Sequence, residues 1–228
     1  MTGTRNVFEC WGGKRSGPAP NCGYLRTLVM LFLAVVIGVA GVLGGCGAAR
    51  PSKYYQLTVP GTGRPQAADP LPVTLLVGTL NASHLYREDR IVYSSAGERM
   101  GTYEYERWAE PPTEMIQEVL LRQLRASGRY RAVYAQRSTM NGDFLIRGRL
   151  YDFKEVSEGR MLGRVTFELE MRDLKSGSTV WTHYYSHDEP VAGKDVPAIV
   201  AALDHNVQSG VTEVLASLDQ YFQSHPVK

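Results

Sequence analysis

The four residues Leu43-Gly44-Gly45-Cys46 end an uncharged apolar run and match the pattern that a bacterial lipoprotein signal peptidase recognises. In that pattern a leucine and two small residues precede an obligatory cysteine, whose sulfur receives a diacylglycerol. Basic residues stand upstream and 27–45 contains no charge, which is the charged-then-apolar order of a secretory signal. The sequence therefore predicts that 1–45 is a signal peptide and that the mature chain starts at an acylated Cys46.

Two other interpretations of this segment stay open. The apolar run at 28–43 is a little shorter than the roughly 20 residues of a spanning helix, so a transmembrane anchor is one alternative. A secreted chain that keeps its leader and a free cysteine is the other. Gly41, Gly44 and Gly45 favour cleavage, because small residues that disfavour helix leave the site open to a peptidase.

Removal of the leader changes the chemistry expected of the chain. Without its first 45 residues the 228-residue chain has 183 residues, the length of one domain. The leader carries four basic side chains and one acidic one, so the 25 basic and 23 acidic side chains become 21 and 22. A net charge near −1 predicts no nucleic-acid partner. Cys10 and Cys22 leave with the leader and Cys46 is acylated, so no thiol remains for a disulfide or a cysteine metal site.

Hydrophobic patterning predicts a single small α/β (α+β) domain over 73–223. The preceding 46–72 contains the acylated cysteine, a tether and a linker rich in Pro and Gly, and 224–228 is a short tail. Alternating or continuous apolar segments predict an extended segment and seven strands: 54–59, 73–80, 90–93, 102–105, 130–134, 144–156, 165–172 and 179–186.

Two amphipathic helices complete the predicted domain. The first has Thr113 as its expected N-cap and ends before Gly128, which suits the C′ position. The second starts at the N-cap Asp195 and carries apolar residues at helical spacing as far as Phe222. Strands and helices in this order predict a mixed, mostly antiparallel sheet with both helices on one face.

The sequence contains no arrangement that predicts catalysis, a cofactor or a metal site. Neither the G-x-S-x-G motif of serine hydrolases nor a P-loop motif occurs. His183 and His187 share a face of one predicted strand, but at that spacing they lie roughly 13 Å apart, too far to bind one ion. We therefore expect a protein that is not an enzyme.

An aromatic cluster in a polar segment is the candidate for partner contacts. Tyr93, Tyr103, Tyr105, Arg107 and Trp108 are the residue types that anchor protein interfaces. Ordinary packing within a sheet accounts for them about equally well. Both interpretations stay open at this stage.

A basic stretch further along the chain is interpreted as a solvated sheet face with cross-strand ion pairs. The alternative is a site for phospholipid headgroups or an acidic protein. The residues concerned are Arg129, Arg131, Arg137, Arg147 and Arg149.

The order of these features resembles a known family. After the lipobox cysteine come Tyr54-Tyr55-x-Leu57, a central strand, Arg90-Ile91-Val92-Tyr93, and Tyr103-x-Tyr105-x-x-Trp108-Ala109-Glu110-Pro111 at the start of the first helix. From Cys46 to about Phe222 the chain is similar to the ABC-type transport auxiliary lipoprotein family, which includes the C component of the paraquat-inducible intermembrane transport system. The fold of that family resembles the N-terminal domain of the Tol-system β-propeller protein.

The resemblance implies a non-enzymatic lipoprotein on the periplasmic face of the outer membrane. It would dock an MCE-domain protein that works with an inner-membrane ABC permease and ATPase, and the cargo would be phospholipid or another hydrophobic molecule. Gly47 follows the cysteine, where an Asp would signal inner-membrane retention in enteric bacteria. A homo-oligomer is expected only by analogy with ring-forming MCE proteins.

Two other functions stay open beside this one. The first is a periplasmic lipid-binding carrier whose two amphipathic helices cover an apolar cavity. The second is a lipoprotein scaffold that activates cell-envelope synthesis.

Overall fold

The computed structural model describes residues 27–33, 50–59, 70–95, 99–136 and 141–227. The chain forms two units, Met1–Ala49 and Arg50–Lys228. In the first unit residues 27–33 are helical, and the lipobox with Cys46 lies outside the described residues. Within the described ranges, no helix combines the length and the apolar character that a membrane crossing requires.

The second unit has nine strands and two α-helices in its described residues. The strands are β1 (Lys53–Tyr55), β2 (Leu71–Val77), β3 (Asn81–Ala82), β4 (Arg90–Ser95), β5 (Met100–Trp108), β6 (Tyr130–Ala135), β7 (Phe144–Glu158), β8 (Arg160–Asp173) and β9 (Thr179–Pro190). The helices are α1 (Pro112–Ala126) and α2 (Val196–Ser224), and a short 3-10 turn spans His84–Tyr86. Both predicted helices and all seven predicted strands are confirmed, although several bounds differ: β8 starts five residues earlier and β9 ends four residues later than expected.

One mixed sheet contains all nine described strands, and β7 is a central strand that pairs on both of its sides. On one side β7 pairs with the antiparallel β8 along its length, and β8 pairs with the antiparallel β9. On the other side it pairs in succession with β2, β3 and β4, each parallel to it. β6 extends the sheet from β2, whereas β5 and then β1 extend it from β4. The antiparallel ladders contain most of the paired residues, as predicted.

The sheet has two ends, because β2 and β4 lie beside opposite halves of β7. β2 pairs with 144–146 and β4 with 154–157. At about 3.3 Å per residue, these positions are roughly 30 Å apart along β7. We call the end with β4, β5 and β1 the β1 end, and the end with β2 and β6 the β6 end.

Both helices cover the same face of the sheet. The large apolar side chains on the inward stripe of α2 are 0 to 3% exposed: Ile199, Leu203, Val207, Val211, Val214, Leu218 and Phe222. They pack on the inward side chains of β8 and β9, while α1 packs on β6 and α2. Val165, Phe167 and Met171 of β8 are at most 1% exposed, so the predicted alternation of that strand is confirmed.

Asn206 and Gly210 set how closely α2 approaches the sheet. The fully buried Asn206 amide donates to the carbonyls of Gly163 and His187 at 2.8 and 2.9 Å, and it accepts from the Tyr185 hydroxyl at 2.7 Å. One turn later Gly210 faces the Tyr185 ring, and a Cβ there would lie 2.8 Å from a ring carbon. Because buried polar groups need partners, this network joins α2 to two strands at once.

The structure corrects the predicted start of α1. Pro111 is the N-cap, without a side-chain hydrogen bond, and the helix begins at Pro112. Proline suits the first helical position because it lacks an N–H that would have no partner there. Thr113 is therefore not the N-cap but a buried residue of the first turn. The other predicted ends are confirmed: Asp195 accepts from a first-turn N–H at 3.1 Å, and Gly128 has a φ of +64° after α1.

The compact unit is larger than the predicted domain of 73–223. β1 lies within the predicted tether, yet it pairs with β5, and Leu57 after it is 2% exposed. β2 starts at Leu71, two residues before the predicted boundary. Residues 60–69 of the predicted linker lie outside the described residues.

Candidate docking surfaces

The predicted aromatic cluster does not form one surface, because Trp108 belongs to the core. It is 1% exposed and packs on Phe153, with ring centroids 5.2 Å apart. The pairing of β4 with β5 shifts by three residues between Val92 and Arg90. An odd shift reverses the face to which the following side chains point. Trp108 therefore offers no surface to a partner, which corrects the prediction for this residue.

Tyr93 and Tyr103 form a half-buried pair. Their rings meet edge to face, with centroids 5.3 Å apart. The Tyr103 hydroxyl donates to Oε2 of the buried Glu155 at 2.6 Å. Burial, together with this hydrogen bond, raises the pKa of Tyr103. The polar group of Tyr103 is thus already bound within the domain.

Tyr105 and Arg107 lie further along β5 and are partly exposed. Nη1 of Arg107 donates to both carboxylate oxygens of Asp89, at 2.9 and 3.1 Å. The guanidinium carbon of Arg50 lies 5.3 Å from the centroid of the Tyr105 ring. The side chain of Tyr105 thus contacts the segment that follows the lipobox.

A groove that the sequence does not predict runs between the C-terminal half of α1 and β6. Its volume is about 540 Å³. It is lined by Pro70, Arg122, Arg125, Ala126, Gly128, Tyr130, Arg131, Ala132, Val133 and Tyr134. β6 pairs only with β2 among the described strands, so its other side is an edge of the sheet. We call this feature the β6 groove.

Three arginines give the β6 groove a basic rim. Arg122 donates to Glu118 at 2.6 Å, and Arg131 donates to Asp143 at 3.2 Å. Nε of Arg125 donates to a β6 carbonyl at 2.9 Å, which occupies one acceptor of the free edge. Among the described residues, three guanidinium groups thus face two carboxylates. The groove has a positive balance that suits an acidic partner.

The arginines of the β6 groove come from two different elements, so the basic stretch predicted from the sequence includes Arg131 but not Arg122 and Arg125. Arg122 and Arg125 end α1, whereas Arg131 lies in β6, and only the packing of α1 on β6 brings them together. The cross-strand ion pairs predicted for the basic stretch are confirmed at Arg147, whose Nε is 2.5 Å from Glu170 in β8, whereas Arg131 pairs with Asp143, the residue before β7. Arg137 lies outside the described residues.

The face of the sheet without helices is polar. Arg164 donates to both oxygens of Asp188, at 2.6 and 2.7 Å, and these bonds lower the pKa of Asp188. The Tyr151 hydroxyl donates to Glu168 at 3.0 Å, and the nearby Tyr184 is 62% exposed. This face therefore presents charges that are already paired within the domain.

The folded unit is similar to a described family and to solved structures. The family model for the ABC-type transport auxiliary lipoprotein component matches residues 55–214. A crystal structure of a Xanthomonas campestris protein with the family model DUF330 is 20% identical, covers 76% of this chain and 98% of its own, and has a TM-score of 0.66. That of a protein described only as uncharacterized is 12% identical, with 74% and 99% covered and a TM-score of 0.60.

The two solved structures support only the fold, because identities of 20% and 12% are too low to carry an argument about function. No curated protein matches the chain. The family model covers well over half of the sequence and nearly all of the sheet. This chain belongs to the ABC-type transport auxiliary lipoprotein family.

Proposed function

We propose that the protein is an outer-membrane lipoprotein that docks the MCE-domain protein of an ABC-type intermembrane transport system. The observation that carries this proposal is the family match, which begins nine residues after a lipobox cysteine. Acylation of Cys46 would hold the domain at the membrane. The inner-membrane permease and ATPase would supply energy, and phospholipid or another hydrophobic molecule would be the cargo.

The β6 groove is the docking surface that the geometry supports best. It lies at the β6 end of the sheet, whereas the chain leads back to Cys46 from the β1 end. It combines an edge of β6 that no described strand pairs with, apolar and aromatic side chains, and a basic rim. An extended segment of the partner can add to β6 as a further strand, and its carboxylates can pair with Arg125 and Arg131.

Tyr93, Tyr103, Tyr105 and Arg107 remain a second proposed contact surface. It has less support, because Glu155 and Asp89 already bind the polar groups of two of these residues. It is also formed at the β1 end, where the chain arrives from Cys46, so acylation of Cys46 would leave this surface near the membrane.

The carrier alternative has less structural support than docking. A carrier needs an apolar cavity under the helices, but in the described residues the inward apolar stripe of α2, from Ile199 to Phe222, is 0 to 3% exposed at its large side chains and packs directly on the sheet. Purified protein that carries stoichiometric phospholipid would favour the carrier. The scaffold alternative differs from transport only in the identity of the partner.

Photocrosslinking in cells tests the docking proposal. A photoreactive amino acid replaces Arg131 on the rim of the β6 groove and, as a control on the uncovered face, Tyr184. We expect the MCE-domain protein to be captured from position 131 and not from 184. Capture of a cell-envelope synthase without any MCE protein would refute the transport function. The same photoreactive amino acid at positions 103 and 105 probes the second surface. Capture of the MCE-domain protein only from these two positions would show that docking takes place there.

A further inference from the structure

We propose that the β1 end of the domain rests on the membrane, with the ring of Tyr54 among the lipid headgroups. Arg50, Tyr54 and Tyr105 form what we call the anchor-side patch, and Lys53 lies at its edge on the opposite side of β1, where it pairs with Glu106. The inference rests on the acylation of Cys46 in the proposed function. It adds the lipid-facing surface, and with it the orientation of the domain.

The length of the tether limits how far this patch lies from the membrane. Arg50 follows Cys46 by four residues and Tyr54 follows it by eight. A fully extended chain spans about 3.5 Å per residue, so these residues lie within roughly 14 and 28 Å of the acylated cysteine. Acyl chains hold that cysteine at the bilayer surface. No other described strand is joined to the membrane by so short a chain.

β1 turns one tyrosine inward and one outward, because successive side chains of a strand face opposite sides. The Tyr55 hydroxyl donates to Glu106 at 2.7 Å, and burial together with this bond raises the pKa of Tyr55 to about 12. Tyr54 faces the other way and is 63% exposed. It pairs in register with Arg107, two residues from Tyr105 in β5. The outward side of β1 thus presents a tyrosine next to a second aromatic side chain.

Arg50 and Tyr105 complete the patch. The Arg50 guanidinium carbon lies 5.3 Å from the centroid of the Tyr105 ring, so cation and ring share one surface. A tyrosine has an apolar ring and a polar hydroxyl, and such side chains concentrate at the boundary between lipid and water. The composition of the patch therefore fits a lipid headgroup layer.

The charge balance of the patch indicates the class of lipid. Lys53 Nζ lies 3.2 Å from Glu106, and Glu104 is an exposed neighbour of Tyr105 in β5. These two carboxylates offset the cations Arg50 and Lys53. Attraction to anionic lipids is therefore weak, and the patch suits a zwitterionic phospholipid surface that the tyrosine rings contact.

Tyr184 is a matched control for Tyr54. The two are 62% and 63% exposed. Tyr184 lies in β9, and β9 and β1 are the outer members of the succession β9-β8-β7-β4-β5-β1. Five strand spacings of about 4.8 Å separate these edges by roughly 24 Å. A membrane contact at the β1 end should leave Tyr184 in water.

The test uses the full acylated lipoprotein, purified from bacterial membranes and reconstituted into phosphatidylcholine vesicles with brominated acyl chains. Tyr54→Trp and Tyr184→Trp each add one indole to the buried Trp108 and Trp181. Bromine quenches an indole that reaches the lipid. Against unbrominated vesicles, we expect the indole added at position 54 to be quenched with blue-shifted emission. The indole added at 184 should show neither change.

Flotation of the vesicles is measured separately from quenching, so that the anchor and the orientation are tested apart. Floating protein with equal quenching at both positions would overturn the inference and leave MCE docking unaffected. Protein that does not float would contradict the anchor and the inference together. Quenching that rises when phosphatidylglycerol replaces part of the lipid would show a contact driven by charge, and would overturn the assignment to a zwitterionic surface.

Discussion

The two faces of the sheet are stabilised by different interactions. On the face covered by helices, side chains such as Phe167 and Leu203 are at most 1% exposed, and the Asn206 network joins α2 to β8 and β9. On the uncovered face, ion pairs such as Arg164 with Asp188 are partly open to water. Buried contacts of the first kind contribute far more than exposed ion pairs. Changes to the uncovered face can therefore alter binding without unfolding the domain.

The largest effect is expected for Trp108→Ala. Loss of the buried indole from its contact with Phe153 should lower the free energy of unfolding by about 3–5 kcal/mol, measured by urea denaturation. Trp108→Phe is the matched control. Among the described residues the indole N–H has no hydrogen-bond partner, so phenylalanine removes no hydrogen bond. This variant should therefore lower the free energy of unfolding by less than about 1.5 kcal/mol. A loss below 1 kcal/mol for the alanine variant would contradict the placement of Trp108 in the core.

Asn206→Leu should have the next largest effect. The leucine fills the space but leaves the Gly163 and His187 carbonyls and the Tyr185 hydroxyl without this partner. Each buried polar group that loses its partner lowers the free energy of unfolding by about 1–3 kcal/mol. Because the structure relaxes in part, we expect a total loss of about 2–4 kcal/mol. Gln220→Leu, an exposed position of the same helix, should change stability by less than about 0.5 kcal/mol. Equal losses in both variants would show that the network is not what stabilises α2.

The covered face could be predicted from the sequence far better than the candidate surfaces. The apolar spacing from Ile199 to Phe222 is local, and so is the alternation that defines β8. The direction of Trp108 depends instead on a register shift between two strands. The β6 groove depends on the packing of α1 against β6, which no single segment encodes. The anchor at Cys46 rests on a local motif outside the described residues and stays a prediction.

The smallest effect should come from the uncovered face, with Asp188→Asn. The bonds from Arg164 lower the pKa of Asp188 below its usual 3.8, so its charge stabilises the fold above that pH. The two side chains are 37% and 35% exposed, and solvent limits the loss at neutral pH to at most about 1 kcal/mol.

The pH dependence of that loss distinguishes charge from shape. As the pH falls below 3.8 through the lowered pKa, Asp188 takes up a proton and the folded state loses the same stabilisation. Unfolding curves of the wild type and the Asp188→Asn variant should therefore converge in acid, and also at about 1 M salt, where exposed charges are screened. A difference that persists at low pH would mean that the pair acts through packing, and the contrast between the two faces would be weaker than the structure indicates.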